Sequence, residues 1–116
     1  MMNADQWIDV CTRADLVKDS GICVRLGNTQ VAIFQITRGE QELYAIGNFD
    51  PVGAANVMSR GMIGSVSDEP VVASPLYKQR FSLLSGQCLD DSDVQLTVYP
   101  VRLLGDLVQL AAAMEP

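Results

Sequence analysis

The sequence contains no histidine, and this absence removes several kinds of active site. Ser-His-Asp and Cys-His catalysis both use an imidazole as general base, so neither can operate within this chain. Zinc, haem and non-haem iron sites that depend on histidine ligands are excluded for the same reason. Any chemistry that the chain performs must therefore come from other side chains or from a partner.

Cysteine is scarce as well, because the chain has only Cys11, Cys23 and Cys88. An odd number without paired spacing argues against a disulfide framework. Cys23 alternates within the run ICVRL, which predicts a small buried side chain, whereas Cys88 follows a Ser-Gly turn and is predicted to be the more exposed. No neighbouring cation or helix N-terminus lowers a thiol pKa, so we predict structural roles for all three.

Basic residues and long apolar runs are also few. The chain has 8 Lys and Arg against 14 Asp and Glu, a net charge of −6. Scattered bases argue against nucleic-acid binding. Without an apolar run of about 18 residues or a signal peptide, we expect a cytoplasmic protein that does not enter the membrane. The acids at Asp90, Asp91 and Asp93 predict a solvated turn, with a metal or partner role as the less favoured alternative.

What the sequence does contain is a series of short β-prone runs separated by Gly, Asn and Pro. The 116 residues suffice for one domain, residues 1–116, with one core. We predict an all-β antiparallel sandwich or barrel with two packed layers. Thr12 should begin one helical turn, and Pro100 should mark an edge or irregular strand. The predicted strands are 7–11, 22–26, 30–37, 43–46, 71–73, 80–84, 96–104 and 107–111, with turns at Gly27-Asn28, Arg38–Glu40 and Gly105-Asp106.

Two loops are candidates for function. Residues 47–61 form a long Gly- and Asn-rich loop, and a loop of this length in a compact domain is usually functional. The shorter loop 74–79 contains Ser74-Pro75 and separates two predicted strands.

These loops carry a resemblance. The segments YAIGNFDPVGAANVMSRG and VVASPLYKQRFSLLSGQCL resemble the two cluster-binding segments of a Rieske domain, which read C-x-H and C-x-x-H. The resemblance places Asp50 and Val52 at the first Cys and His, and Ser74 and Tyr77 at the second pair. A Rieske cluster needs two cysteines and two histidines. The resemblance therefore implies a Rieske-like fold with two adjacent loops at a vestigial cluster site whose four ligands are all replaced.

The phrases IGNFDP, NVMSRG and PVVASPLYKQRF resemble one group in particular, the small subunits of NAD(P)H-dependent assimilatory nitrite reductases. Membership of that group implies a cytoplasmic, non-catalytic subunit in nitrate assimilation, without a cofactor or metal of its own. Its partner would be a large catalytic subunit that carries FAD, siroheme and an iron–sulfur cluster. That partner would reduce nitrite to ammonia with electrons from NAD(P)H, so the chain would be an oxidoreductase only as a subunit.

The local chemistry leaves several alternatives open. Asp50 is interpreted as a turn cap that accepts backbone N–H bonds, in preference to binding a cation or a partner arginine. Tyr77 could fill the vacated cluster position or face a partner. Lys78 and Arg80, which lie beside Tyr77 in the sequence, are candidate docking charges. Alternation with Phe81 predicts that Arg80 points outward. The alternative is that Arg80 is an ordinary solvated strand residue.

Two other functions remain as alternatives, a stand-alone regulatory module with a Rieske fold and an electron carrier with unusual ligands. The second is disfavoured because Asp50, Val52, Ser74 and Tyr77 offer neither thiolate nor imidazole. The sequence leaves open the docking face, the stoichiometry and the choice between NADH and NADPH.

Overall fold

The computed structural model describes residues 6–37 and 43–111, in which every pair of named strands is antiparallel. This confirms the all-β prediction. None of the described residues forms a helix long and apolar enough to cross a bilayer. Two single 3-10 turns interrupt the strands, at Arg13–Asp15 and Met58–Arg60. The strands are β1 (Trp7–Thr12), β2 (Ser20–Leu26), β3 (Thr29–Gln35), β4 (Leu43–Gly47), β5 (Phe49–Asp50), β6 (Ala55–Asn56), β7 (Met62–Val66), β8 (Glu69–Ala73), β9 (Arg80–Ser82), β10 (Val98–Tyr99), β11 (Val101–Leu104) and β12 (Leu107–Ala111).

A four-stranded sheet in the order β10-β4-β3-β2 forms the middle of the molecule. Successive side chains of β3 point to opposite faces of this sheet. Ile33 joins one apolar cluster with Leu110 of β12, and Phe34 joins a second cluster with Phe81 of β9. The central sheet is thus covered on one face by the sheet β1-β12-β11 and on the other by the sheet β7-β8-β9. The expectation of two layers was too simple, because all of β3 from Val31 onward is buried between two outer layers.

Most of the predicted turns are present where the sequence places them. The β2–β3 hairpin turns at Gly27, whose φ is 64°, and β11 and β12 are joined across Gly105, whose φ is 61°. The predicted helical turn after Thr12 is the 3-10 turn Arg13–Asp15. Pro100 divides the predicted strand 96–104, so that β10 pairs in the central sheet and β11 in an outer one. The turn predicted at Arg38–Glu40 lies outside the described residues.

Strand β7 was not predicted from the sequence. It pairs with β8 through a two-residue turn at Ser67 and Asp68, where φ is 50° and 68°. Positive φ at both central residues is the geometry of the turns that favour Asn-Gly or Asp-Gly. The Ser-Asp pair does not carry that signal, so the hairpin was missed.

The predictions for Cys23 and Cys88 were wrong, because Cys23 is exposed and Cys88 is buried. Cys23 is exposed because it alternates on β2 with Val24, whose side chain is the one that enters the core. Cys88 is buried because it lies opposite Phe81, beside β9, in the second apolar cluster. The apolar character of each segment was recognised, but the direction of each side chain was not.

Candidate functional site

Asp50, at the end of β5, is a fully buried carboxylate in the first loop. Its Oδ1 accepts hydrogen bonds from the backbone N–H of Val52 at 2.9 Å and of Gly53 at 3.2 Å. This arrangement confirms the interpretation of Asp50 as a turn cap. The carboxylate holds the backbone of the first loop in a tight turn beneath the surface.

The second loop donates to the same carboxylate. Ser74 Oγ donates to Asp50 Oδ2 at 2.5 Å, and Gln79 Nε2 donates to Asp50 Oδ1 at 2.8 Å. The second loop is closed at its base, where Ser74 N donates to the carbonyl oxygen of Gln79 at 2.9 Å. We call Asp50, Ser74 and Gln79 the polar knot. It shows that loops 47–61 and 74–79 are adjacent, as predicted.

Opposing effects act on the pKa of Asp50. Burial raises the pKa, because a charge is less stable away from water, but hydrogen bonds from Ser74, Gly53, Val52 and Gln79 lower it. The hydrogen bonds prevail and leave the pKa of Asp50 below its ordinary value. The buried carboxylate is therefore ionised at neutral pH, which matches its use as an acceptor from four donors.

Above the polar knot, the two loops expose apolar side chains. Tyr77 is 68% exposed and Val52 is 48% exposed, so the ring of Tyr77 lies at the surface and does not fill the cluster position that the resemblance implies. The side chain of Leu76, 44% exposed, lies where a Cβ on Gly53 would stand, which brings the loops into direct contact. We call Val52, Leu76, Tyr77 and Lys78 the tip. The polar knot, rather than an aromatic plug, joins the loops beneath it.

The two predicted docking cations differ in their surroundings. Lys78 is exposed at the tip and has a left-handed backbone, with φ of 65°. Arg80 points outward as predicted, but its Nη2 donates to Asp90 Oδ1 at 2.8 Å and its backbone N–H donates to Asp90 Oδ2 at 2.8 Å. The acidic turn is therefore more than a solvated segment, since Asp90 joins it to Arg80 at the start of β9.

The residues present do not fit an iron–sulfur cluster. Asp50 and Ser74, which the resemblance aligns with the cluster cysteines, are hydrogen-bonded to each other. Val52 has no donor atom, and Tyr77 offers a phenol rather than an imidazole. The cysteines lie apart: Cys88 is in the cluster beside β9, Cys11 packs against the opposite cluster, and Cys23 is on the outside of β2. Within the described residues, no group of three His, Cys, Asp or Glu could hold a metal ion.

A cleft of about 450 Å³ adjoins the first loop. It is lined by neutral residues, among them Gln30, Asn48, Phe49 and Thr97. Asn48 is nearly fully buried and is held by Gln30 Oε1, to which its Nδ2 donates at 3.0 Å, and by Ser59, whose N–H donates to Asn48 Oδ1 at 2.7 Å. The cleft is therefore lined by amide, hydroxyl and apolar groups and, among the described residues, carries no charged side chain.

Comparison with known proteins places this geometry in a family. The sequence profile of the Rieske-like [2Fe-2S] domain matches residues 6–111. The nitrite reductase (NADH) small subunit of Escherichia coli K12 is 42% identical over 105 residues, which are 90% of this chain and 96% of the relative. The chain belongs to the Rieske-like nitrite reductase small subunits.

A solved structure and a longer relative extend the comparison. The NMR structure of the E. coli protein NirD superposes with a TM-score of 0.82 at 41% identity, covering 92% of this chain and 96% of that one. The nitrite reductase [NAD(P)H] large subunit of Klebsiella oxytoca is 39% identical over 97 residues, which are 84% of this chain but 10% of that protein.

Sequence reasoning missed Gln79 and Asn48, two buried amides that organise this Rieske-like site. Gln79 lies between two charged residues in a polar stretch, and Asn48 lies in a loop of turn-forming residues, so their composition indicated exposure. A buried amide is identifiable only once its partners are known, and the partners of both residues are distant in sequence. The link between Arg80 and Asp90 was missed for the same reason.

Proposed function

We propose that this chain is the non-catalytic small subunit of an NAD(P)H-dependent nitrite reductase in nitrate assimilation. The observation that carries the proposal is the polar knot, which joins the two loops that the resemblance aligns with cluster-binding segments, in a fold shared with a nitrite reductase small subunit. The chain would bind a large subunit that holds FAD, siroheme and an iron–sulfur cluster and reduces nitrite to ammonia. The relatives' use of NADH supports a cytoplasmic location, because that coenzyme is supplied there.

The chain itself would hold no cluster. Support comes from the donor set, since a carboxylate, a valine, a hydroxyl and an exposed phenol replace two thiolates and two imidazoles. The full chain, purified after expression with excess iron, should be colourless and contain far less than one iron per molecule. A visible absorption band with about two irons per chain, the content of one Rieske cluster, would contradict this part of the proposal.

The tip is the proposed docking surface for the large subunit. Tyr77 and Leu76 provide exposed apolar area on a rigid base, and aromatic residues are common anchors at interfaces. Lys78 adds a cation at the same place. Gln79 Oε1 beneath the tip is buried without a hydrogen-bond partner among the described residues.

Alanine substitutions test the docking surface. Tyr77→Ala and Lys78→Ala are introduced separately, and affinity for the large subunit is measured by titration calorimetry after each variant is shown to be folded. At least one should bind about tenfold more weakly, which corresponds to about 1.4 kcal/mol. Arg80→Ala should have a smaller effect, because the guanidinium of Arg80 is already paired with Asp90.

Matched controls separate docking from general surface change. Leu104→Ala removes an exposed apolar side chain from β11, and Lys18→Ala removes an exposed cation remote from the loops in sequence. Both should bind with wild-type affinity. Unchanged binding by folded Tyr77→Ala and Lys78→Ala would move the interface away from the tip.

A further inference from the structure

The cleft beside the first loop shares no lining residue with the polar knot or the tip, and the proposed function gives it no role. Three segments of chain bound it: the β2–β3 turn with the start of β3, the stretch from β4 through β6, and the stretch that leads into β10. Its volume of about 450 Å³ lies within the range of small-molecule sites, about 300 to 1,000 Å³. We therefore consider which groups the cleft offers to a ligand.

The orientation of one side-chain amide in the cleft is fixed by a backbone group. The N–H of Ser59 can only donate, so the atom of Asn48 that lies 2.7 Å from it must be Oδ1. The other end of the same amide, Asn48 Nδ2, therefore faces Gln30 and donates to Gln30 Oε1 at 3.0 Å. Gln30 Nε2 is the end that is left over, and within the described chain it has no hydrogen-bond partner. The cleft thus has a donor whose direction is set by a buried amide.

A second side-chain amide is fixed with its oxygen left over. The carbonyl oxygen of Ser85 can only accept, so the end of Gln95 that lies 3.0 Å from it must be Nε2. Gln95 Oε1 is then an acceptor without a partner among residues 6–37 and 43–111. Gln30 and Gln95 both line the cleft, which therefore offers one oriented donor and one oriented acceptor.

Phe49 supplies an aromatic surface to the same cleft. Asp50 is buried in the polar knot, and because neighbouring side chains on a strand point in opposite directions, Phe49 on β5 is directed outward and is 47% exposed. An exposed ring of this kind can stack against a planar ligand. None of the described residues that line the cleft is charged, and the chain has a net charge of −6, which disfavours anions. These features favour an uncharged ligand with a flat ring.

We propose that this cleft binds an uncharged planar ring that bears an amide group, with the ring against Phe49 and the amide paired with Gln30 and Gln95. The carbonyl oxygen of such an amide accepts from Gln30 Nε2, and its N–H donates to Gln95 Oε1. A purely apolar ring would leave both oriented amides unpaired, and a carboxylate of the same shape would set a negative oxygen against an acceptor. Carboxamides on aromatic rings and the ring amides of heterocycles share this chemistry.

Titration of the full, isotope-labelled chain tests the site, with benzamide as the carboxamide probe and 2-pyridone as the ring-amide probe. The side-chain amide NMR signals of Gln30 and Gln95 and the backbone signals of Phe49 and Thr97 should shift in a saturable manner with at least one probe. The probe that binds more tightly identifies the kind of amide. Benzoate, which has the shape of benzamide and a negative charge, should bind more weakly than benzamide by about tenfold or more. Absence of saturable shifts with both probes, or equal binding of benzoate and benzamide, would overturn the proposal.

A change of specificity tests the role of Gln30. Gln30→Glu keeps an oxygen for Asn48 Nδ2 but replaces the free donor with an anionic acceptor. The variant should bind benzamide about tenfold more weakly and benzamidine, whose cationic amidine donates to a carboxylate, about tenfold more tightly than the wild type does. Gln6→Glu adds the same charge at an exposed position outside the cleft and should change neither affinity. A gain for benzamidine excludes misfolding as the cause of the loss. Weaker benzamide binding without that gain, or the same changes in Gln6→Glu, would contradict the assignment.

Two exposed aromatic residues separate this site from the proposed docking surface. Phe49→Ala should weaken benzamide binding by about tenfold, whereas Tyr77→Ala, which removes the ring at the tip, should leave it unchanged. Equal effects of the two substitutions would show that the ligand does not stack on Phe49. These measurements use the chain alone, so a chain that binds the large subunit but neither amide probe would refute the cleft site and leave the proposed function intact.

Discussion

At the scale of single residues, Asp50 is the group on which the site depends. A buried charge is tolerated only where hydrogen bonds replace water, and Asp50 has donors from both loops. Removing the charge while keeping the shape leaves those donors without a charged acceptor. The stability of the whole chain is therefore sensitive to one carboxylate.

Asp50→Asn should destabilise the protein by about 3 kcal/mol, because charged hydrogen bonds are lost and an amide N–H faces buried donors. Urea unfolding followed by circular dichroism measures the change. Asp106→Asn removes the same charge from the exposed β11–β12 turn and should alter stability by less than about 0.5 kcal/mol. Equal effects of the two substitutions would mean that net charge, and not the polar knot, is responsible.

The same carboxylate predicts a pH dependence. The pKa of Asp50 is lower in the folded protein than in the unfolded chain, where it is about 3.9, so the unfolded state binds more protons and stability rises with pH. The contribution of Asp50 is fully present above about pH 4 and is lost as pH falls through the lower, folded pKa. The stability difference between wild type and Asp50→Asn should be constant from pH 7 to about pH 5 and shrink below about pH 4. A difference that grows on acidification would contradict the assignment.

At the scale of elements, the β7–β8 hairpin holds a turn whose sequence does not match its geometry. Ser67 and Asp68 both adopt positive φ, which costs about 1 kcal/mol for a residue with a side chain. The hairpin persists because β8 is also paired with β9 and buries Val71 and Val72. Tertiary packing thus overrides the local preference.

Replacing Ser67-Asp68 by Asn-Gly should stabilise the protein by about 1 kcal/mol, because that pair is favoured where both central residues have positive φ. Thermal and urea unfolding measure the gain. The corresponding change at Asp91-Ser92, an exposed pair in which neither φ is positive, should give no gain. A loss at Ser67-Asp68 would show that the side chains present make contacts that matter more than backbone strain.

The same elements show what the sequence could and could not predict. Strands with a Gly turn beside an apolar run, such as β2–β3 and β11–β12, were predicted because local preference and structure agree. The adjacency of the two loops followed from the family resemblance. The direction of Cys23 and Cys88, and the burial of Gln79, depend on partners far along the chain. Those features could not be derived from local pattern.

At the scale of the whole molecule, the central sheet joins two apolar clusters. Since β3 and β4 contribute alternate side chains to both, neither outer layer has a core of its own. That residues 1–116 form one domain stays a prediction, and the shared sheet is the physical reason to expect cooperative unfolding.

Leu110→Ala should destabilise the protein by about 3 kcal/mol, because Leu110 is fully buried in the cluster beneath the sheet β1-β12-β11. Trp7 fluorescence reports on the sheet β1-β12-β11, and the backbone amide NMR signals of Val72 and Phe81 report on the sheet β7-β8-β9. Both should shift to the same lower urea midpoint in the variant. Separate midpoints would show two independently unfolding units.

The polar knot has a consequence for how the protein matures. A domain whose loops are joined by a metal cluster reaches its working shape only after iron and sulfide have been delivered and inserted. Here the cross-link between the loops consists of side chains that the ribosome supplies, so the surface above it is complete as soon as the chain has folded. On the proposal that the chain holds no cluster, the formation of this surface would not depend on iron supply and would not be undone by oxygen. A cell that is short of iron would still produce this part of its machinery ready for assembly.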